Sequence, residues 1–148
     1  MKDLHLDWKY LLTDFRGRIP RKHFWIAFGA VLIIEILCHL IADRIQGPRL
    51  SAIVDLAFVY PEWAIAAKRA HDRNMPTWVP GIFFAGGTLV DFVTILGFAG
   101  PRDNPSTLLL VLATPLMIFG LALLIDFGFR RGTPGPNRYG PDPLAGKT

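Results

Sequence analysis

The sequence lacks the features that are typical of disulfide-linked, nucleic-acid-binding and secreted proteins. Its 148 residues include one cysteine, Cys38, so an intrachain disulfide is excluded. The net charge of +4 comes with no zinc-finger spacing, no RNP motif and no separate basic helix, so we expect no nucleic-acid partner. The N-terminal segment is charged throughout and lacks an apolar stretch followed by a small-residue cleavage site. We therefore expect no cleaved signal peptide.

Long apolar runs are what the sequence has in abundance, since 51% of its residues are hydrophobic. A bilayer core about 30 Å thick needs about 20 helical residues to cross it. Four stretches come close to that length, at 24–42, 50–67, 78–100 and 108–129. The first, third and fourth lack the polar face that a helix of a soluble bundle shows. The pattern predicts an all-α integral membrane protein, a single domain over 1–148 with four transmembrane helices and a turn-rich tail at 130–148.

The distribution of lysine and arginine predicts how the chain is oriented. Thirteen of the 16 lie in the N-terminal segment, between the second and third runs, or in the tail. Because positively charged loops stay in the cytoplasm, both termini and this middle connector are predicted to be cytoplasmic. The connector charges Lys68, Arg69 and Arg73 would then hold the turn at that face. The aromatic residues expected at the same membrane interface are Trp25, Trp78 and Tyr139.

Three motif-like segments fall on the predicted cytoplasmic face. They are DFRGRIPRKHFW at 14–25, KRAHDRNMPTW at 68–78 and GTPGPNRYGPDP at 132–143. In this order they resemble the DUF805 family of inner-membrane proteins, over almost the whole chain. Lys68 and Ala70 depart from the family pattern, in which Arg and Leu are usual. The resemblance implies a multi-pass protein of the bacterial inner membrane, and it implies no reaction, because the family is one of unknown function.

The polar and aromatic residues of these segments are named here the Arg/Asp cluster. Its members are Arg18, Arg21, Trp25, Arg69, His71, Asp72, Trp78, Asn137, Arg138, Tyr139 and Asp142. Asp72 and Asp142 are the natural partners of the arginines, since an arginine–carboxylate pair can be bidentate. One interpretation is a structural latch that holds the helices in register and anchors them to anionic headgroups. The other is a binding site for an anionic ligand such as a lipid phosphate.

The His71-Asp72 dipeptide raises the question of catalysis. Adjacent side chains on a helix point about 100° apart, so the two residues do not form a dyad by themselves. Ser51 and Ser106 are the only serines, and both fall on the opposite side of the membrane from the dipeptide. A hard-metal or phosphotransfer site that adds Asp142 is an alternative, although the dipeptide has no zinc-ligand spacing. We expect no catalytic residue, no metal and no cofactor, which leaves an integral-membrane enzyme as a minor alternative.

Four acidic residues lie inside the predicted spans, where an uncompensated charge costs about 2.5–3.5 kcal/mol. The acids are Glu35, Asp55, Glu62 and Asp91, and His39 lies one helical turn from Glu35. Protonated carboxyl groups that hydrogen-bond between helices are one explanation. A path for protons or cations is another. A third explanation is that the predicted boundaries of the spans are wrong, so that some of the acids, Asp55 in particular, lie at the membrane–water interface.

The function favoured by these patterns is a non-enzymatic membrane scaffold or a module that binds lipids or a partner. The alternative is a small transporter or channel subunit that uses Glu35, His39, Glu62 and Asp91 as a proton or cation path. Expected partners are membrane lipids, including anionic headgroups, and a second copy of the chain or another membrane protein. Small residues that permit close helix contacts, and so support oligomerisation, are Gly81, Ala85, Gly86 and Gly87.

Overall fold

The computed structural model describes residues 6–45 and 47–146 of the chain. The described residues form five helices and no strand. They are α1 (Trp8–Thr13), α2 (Arg21–Ile45), α3 (Pro48–Asp72), α4 (Trp78–Ile95) and α5 (Thr107–Phe129). Lys2 and Lys147, two of the cations used to predict the orientation, lie outside the described residues.

Helices α2 to α5 are long and apolar enough to cross a membrane, which confirms the predicted all-α architecture with four spans. Their bounds differ from the apolar runs. Helix α3 continues through the charged residues to Asp72, because those side chains find partners inside the fold. Helix α4 ends at Ile95 rather than near residue 100, and the chain then turns at Gly97 and Gly100, which both have positive φ. Helix α1 was not expected from the sequence.

Local signals explain where several helices begin and end. The Ser106 hydroxyl accepts the Leu109 backbone N–H at 3.2 Å and so caps the first turn of α5. Pro48 occupies the first position of α3, where no backbone N–H is needed. At the other end of α3, Asn74 takes the left-handed conformation with φ of 58°, which asparagine tolerates and which ends the helix.

Helix α3 lies at the centre of the bundle, packed against α2, α4 and α1. Helix α5 packs mainly on α4, where Gly86 faces Leu116 and Gly120 faces Phe83. It meets α2 at the end that carries the Arg/Asp cluster, where the Trp25 ring lies against Gly128. Between α2 and α5 the bundle leaves an apolar cavity.

The outer faces of the helices are unusually apolar. Large aliphatic side chains point outward along α2 and α5, with Ile33 62% exposed and Met117 70% exposed. A soluble protein does not leave such continuous apolar surfaces in water, whereas lipid tails cover them without cost. The exposed surface therefore agrees with a bundle that crosses the bilayer.

The small residues of α4 serve packing within the chain. Gly81 lies against the Trp63 ring of α3 and Gly86 against Leu116 of α5, while Gly87 has no atom close to where a side chain would begin. Close helix contact is thus used inside one molecule at two of these positions. Association of two copies stays a prediction.

Candidate functional site

The three motif segments meet at one end of the bundle. The Thr133 backbone N–H donates to the Asp72 carbonyl at 2.8 Å, which attaches the tail to the end of α3. The Ile19 N–H donates to the Lys68 carbonyl at 3.4 Å, which attaches the segment before α2 to the same helix. This convergence places the members of the Arg/Asp cluster together, around the last turn of α3.

Arg18 and Asp72 form the centre of the cluster. Arg18 Nε and Nη2 donate to Asp72 Oδ1 at 3.1 and 3.0 Å, and the two side chains are 1% and 4% exposed. The remaining donors of Arg18 reach the tail, with Nη1 on the Gly135 carbonyl at 2.8 Å and Nη2 on the Thr133 carbonyl at 2.7 Å. Every nitrogen of this guanidinium is therefore engaged within the protein.

Arg69 completes the neutralisation of Asp72 from the opposite side. Its guanidinium forms an ion pair with Asp72 Oδ2 and is fully buried. Arg69 Nε also donates to the Phe127 carbonyl at 2.6 Å, and Nη2 donates to the Arg130 carbonyl. Because the last carbonyls of a helix lack partners within the helix, this arginine both caps α5 and fastens it to α3.

His71 points away from the Asp72 carboxylate. Its Nδ1 lies 3.0 Å from the Gly17 carbonyl and its Nε2 lies 2.8 Å from the Thr77 hydroxyl. A carbonyl only accepts, so Nδ1 carries the proton, an assignment made from its partner. The ring also stacks on Tyr139, with centroids 3.9 Å apart. His71 thus connects three segments of the chain, and its hydrogen-bond partners differ from those of Asp72.

The tail differs from expectation at Asp142. Asp142 accepts the backbone N–H groups of Gly135 and Leu144, both at 2.9 Å, instead of pairing with an arginine. These hydrogen bonds hold the pKa of its carboxyl below the ordinary aspartate value. Tyr139 stacks on His71, because the turns of the tail fold back over the end of α3, and its place at the membrane interface stays a prediction.

The other members lie around this centre. Arg21 Nη1 donates to the Phe129 carbonyl at 2.9 Å and Trp25 Nε1 to the Gly128 carbonyl at 3.1 Å, so both join α2 to the end of α5. Arg138 Nη2 donates to the Asn74 carbonyl at 3.0 Å. Trp78 is largely exposed at the start of α4.

Asn137 completes the contacts of the tail. Its Nδ2 donates to the His71 carbonyl and to the Thr133 hydroxyl, both at 2.9 Å. The arrangement as a whole ties four helices and the tail together. No buried side-chain N or O atom in the described part of the chain lacks a partner.

Three residues of this end were missed by sequence reasoning. Lys68, treated there as a charge facing the cytoplasm, is fully buried, and its Nζ donates to the Leu11 carbonyl at 2.9 Å and to the Asp14 carbonyl. It therefore holds α1 onto α3. Arg73 Nε donates to Asp126 Oδ2 at 3.0 Å, which joins the α3–α4 turn to α5. Asp126 is the third missed residue. It lies in the last turn of a predicted span, four residues before Arg130, and this i,i+4 spacing is the signal that could have predicted its role.

A second set of polar residues lies within the spans and is named here the polar chain. It consists of Glu62, Glu35, His39, Asp55 and Asp91. The carboxyl groups of Glu35 and Glu62 interact with each other between α2 and α3. His39 Nε2 lies 2.7 Å from Asp55 Oδ1, and the Asp55 carboxyl also interacts with that of Asp91 in α4. Five titratable groups from three helices are thus connected.

The polar chain extends from the middle of the bundle toward the end opposite the Arg/Asp cluster. At about 1.5 Å per helical residue, Glu62 lies about 15 Å along α3 from Asp72, and Asp55 lies about 25 Å from it. Glu62 therefore lies near the middle of α3, while Asp55, whose side chain is 38% exposed, lies toward the end opposite the Arg/Asp cluster.

Glu35, His39 and Asp55 place one ligand atom each within 4.8 Å of one another. One imidazole and two carboxylates could hold a divalent transition metal. The His39 and Asp55 atoms that would bind the metal already share a hydrogen bond, so the geometry also fits a proton-linked pair without a metal. The expectation of no metal stays a prediction.

An apolar cavity of about 440 Å³ adjoins the polar chain between α2, α3, α4 and α5. Glu62 is its only ionisable lining residue. The phenylalanines that line it are Phe24, Phe28, Phe83, Phe84 and Phe127. Cavities of this size are typical of small-molecule sites, which are mostly apolar with few polar groups.

Four apolar spans, lipid-facing side chains and a polar network that joins the helices at one end define a multi-pass α-helical membrane protein. The family model described as "Protein of unknown function (DUF805)" matches residues 12–141, and the chain belongs to that family. This confirms the resemblance carried by the three motif segments.

Two similar proteins come from Escherichia coli strain K12. Inner membrane protein YhaH is 26% identical over 137 residues, which cover 88% of each chain. Uncharacterized protein YiiR is 30% identical over 138 residues, which cover 88% of this chain and 86% of the relative. No solved structure matches the chain significantly.

Proposed function

We propose that this protein is a small inner-membrane transport subunit in which the polar chain carries protons. The observation that carries the proposal is the connected row of five titratable side chains within three spans. Two neighbouring carboxyl groups inside a span are less costly with a proton on one of them, so the polar chain can hold exchangeable protons where a bare charge is costly. Ionisable residues inside spans are rare and mark substrate, ion and proton pathways.

The side from which protons enter follows from the position of the polar chain. Asp55 and Asp91 lie toward the end opposite the Arg/Asp cluster, and Glu62 is the innermost group. Beyond Glu62 the cavity offers only apolar side chains as far as Phe127. Protons therefore enter from one side and reach Glu62, and whatever fills the cavity controls passage to the other side. This arrangement fits a carrier better than an open channel.

The experiment measures proton entry into liposomes that contain the purified protein and a trapped pH-sensitive dye. A potassium diffusion potential, negative inside, drives protons inward. We expect faster acidification than in empty liposomes, and slower acidification with Glu62→Gln, which keeps the shape of the side chain and removes its titration. Asp103→Asn, an exposed loop acid, is the matched control and should behave as the wild type. Equal rates for the wild type and Glu62→Gln would overturn the proposal.

Both termini are proposed to be cytoplasmic. Thirteen of the 16 Lys and Arg belong to the segments at the Arg/Asp cluster end or to the adjoining termini. Such segments stay inside during membrane insertion. The inner-membrane location is supported by the similarity to the inner membrane protein YhaH.

A second candidate function is lipid binding at the Arg/Asp cluster end. Arg18 and Arg69 are buried and hydrogen-bonded within the protein, but Arg21 and Arg131 line a cavity of about 410 Å³ at this end. An anionic headgroup in that cavity would serve the scaffold or lipid-binding role favoured by the sequence. Native mass spectrometry should show phosphatidylglycerol or cardiolipin retained by the wild type and lost from Arg131→Gln. Equal lipid retention by both proteins would exclude this site.

A further inference from the structure

We infer that the apolar cavity beside Glu62 binds a lipophilic organic cation, held by the Glu62 carboxylate and by the faces of phenylalanine rings. This inference rests on the proposed proton function and names its substrate class. It assigns to Glu62 a second role, as the counter-charge of a bound molecule.

The chemistry of the lining selects the class of ligand. Fourteen residues line the cavity, five of them phenylalanines, and Glu62 alone among them carries an ionisable or hydrogen-bonding side chain. An aromatic face attracts a desolvated cation, most strongly a quaternary one. A single carboxylate supplies one negative charge and no hydrogen-bond donor once it is ionised. The site therefore suits a large cation with apolar substituents and disfavours an anion or a sugar.

The cavity lies between the membrane-spanning helices, where a lipophilic molecule can partition. Glu62 lies near the middle of α3, and the other walls come from α2, α4 and α5, with Phe28, Phe83 and Leu121 among them. A neutral lipid tail would fill the same space, but it would gain no electrostatic attraction from the Glu62 carboxylate. A permanent organic cation satisfies both the aromatic walls and the carboxylate.

Binding of the cation must compete with the proton on Glu62. The titratable groups that act on Glu62 are Glu35 of α2 and Asp55 of α3 itself. His39 of α2 and Asp91 of α4 interact with those two groups, while α5 brings only apolar side chains to the cavity. The ionised form of Glu62 is the one that attracts the cation. Entry of the cation therefore releases a proton into the polar chain, which is the exchange that a proton-coupled carrier needs.

The test measures binding of tetraphenylphosphonium to the full-length protein in detergent micelles by equilibrium dialysis, with empty micelles as the blank. We expect saturable binding that Glu62→Gln weakens by about thirtyfold or more, because a buried charge loses its partner. Phe28→Leu should weaken binding by about threefold to thirtyfold through loss of the aromatic face. Phe92→Leu, an exposed phenylalanine of α4 outside the cavity, is the matched control and should bind as the wild type.

Charge selectivity provides the second measurement, which does not depend on any variant. Triphenylphosphine oxide, which is aromatic and neutral, should bind much more weakly than tetraphenylphosphonium. Equal binding of the two probes, or unchanged binding in Glu62→Gln, would overturn the inference. If the wild type takes up protons but does not bind tetraphenylphosphonium, this inference alone is refuted. If the wild type binds tetraphenylphosphonium and Glu62→Gln does not, but both take up protons at the same rate, the proton function alone is refuted.

Discussion

Asp72→Ala is the change that tests most directly how this protein is held together. Among the residues that the structure describes, Asp72 is the one carboxylate that contacts both Arg18 and Arg69, and all three side chains are at least 96% buried. The substitution leaves two guanidinium groups in a dry site without a counter-charge. Removing one partner of a buried ion pair costs about 3–5 kcal/mol. For a domain of this size 1 kcal/mol shifts the melting temperature by about 2–4 °C, so a fall of about 6–20 °C is expected.

The assay is thermal unfolding of purified protein in detergent, followed by the fluorescence of its tryptophans. Asp103→Ala, which removes an exposed loop acid, is the control and should melt as the wild type does. Asp126→Ala should fall between them, because its pairs with Arg73 and Arg130 are more exposed. A melting temperature of Asp72→Ala within about 2 °C of the wild type would show that the cluster does not hold the helices together.

Three further predictions concern the tail and the topology. Gly132→Ala should destabilise the fold by about 1–3 kcal/mol, because a methyl group there collides with the Asp72 carboxylate; normal melting would contradict that packing. In a cysteine-free background and intact bacterial cells, a membrane-impermeant maleimide should label Asp103→Cys and spare Lys22→Cys, and the reverse pattern would invert the proposed orientation. The lowered pKa of the Asp142 carboxyl means that its hydrogen bonds stabilise the tail above the unfolded value of 3.8 and are lost as the pH falls through the lower folded value. Limited proteolysis should therefore cut the wild-type tail only in strong acid and cut Asp142→Asn at neutral pH, and equal cleavage of both would refute this role.

The architecture could be predicted from the sequence because it depends on the lengths of apolar runs. Four runs of nearly sufficient length, separated by turns, leave few alternatives to four spans. An even number of spans brings the two terminal segments and the middle connector to one end, which is where the structure has them. The end of α3 could not be placed in the same way. Lys68 and Asp72 look like connector residues in sequence, and only their buried partners allow the helix to continue through them.

The partners of the acidic residues inside the spans could not be predicted from the sequence. Spacing on one helix places Glu35 and His39 on the same face, but their actual partners, Glu62 and Asp55, belong to α3. A helix that is apolar all round has no polar face to specify its rotation about its own axis. The rotation is decided by packing against its neighbours, and with it the pairing of every side chain between helices.

The sequence by itself therefore determined the class of the protein, the number of spans and the family, because these depend on hydrophobic length and on short motifs. The tertiary structure alone decided that Arg18 and Arg69 are consumed inside the fold, that Glu62 lies between a polar chain and an apolar cavity, and that His71 and Asp72 face different partners. The physical reason is that a guanidinium or a carboxyl acquires its role from the groups within about 3 Å of it. In this chain several of those groups come from segments 50 to 122 residues away.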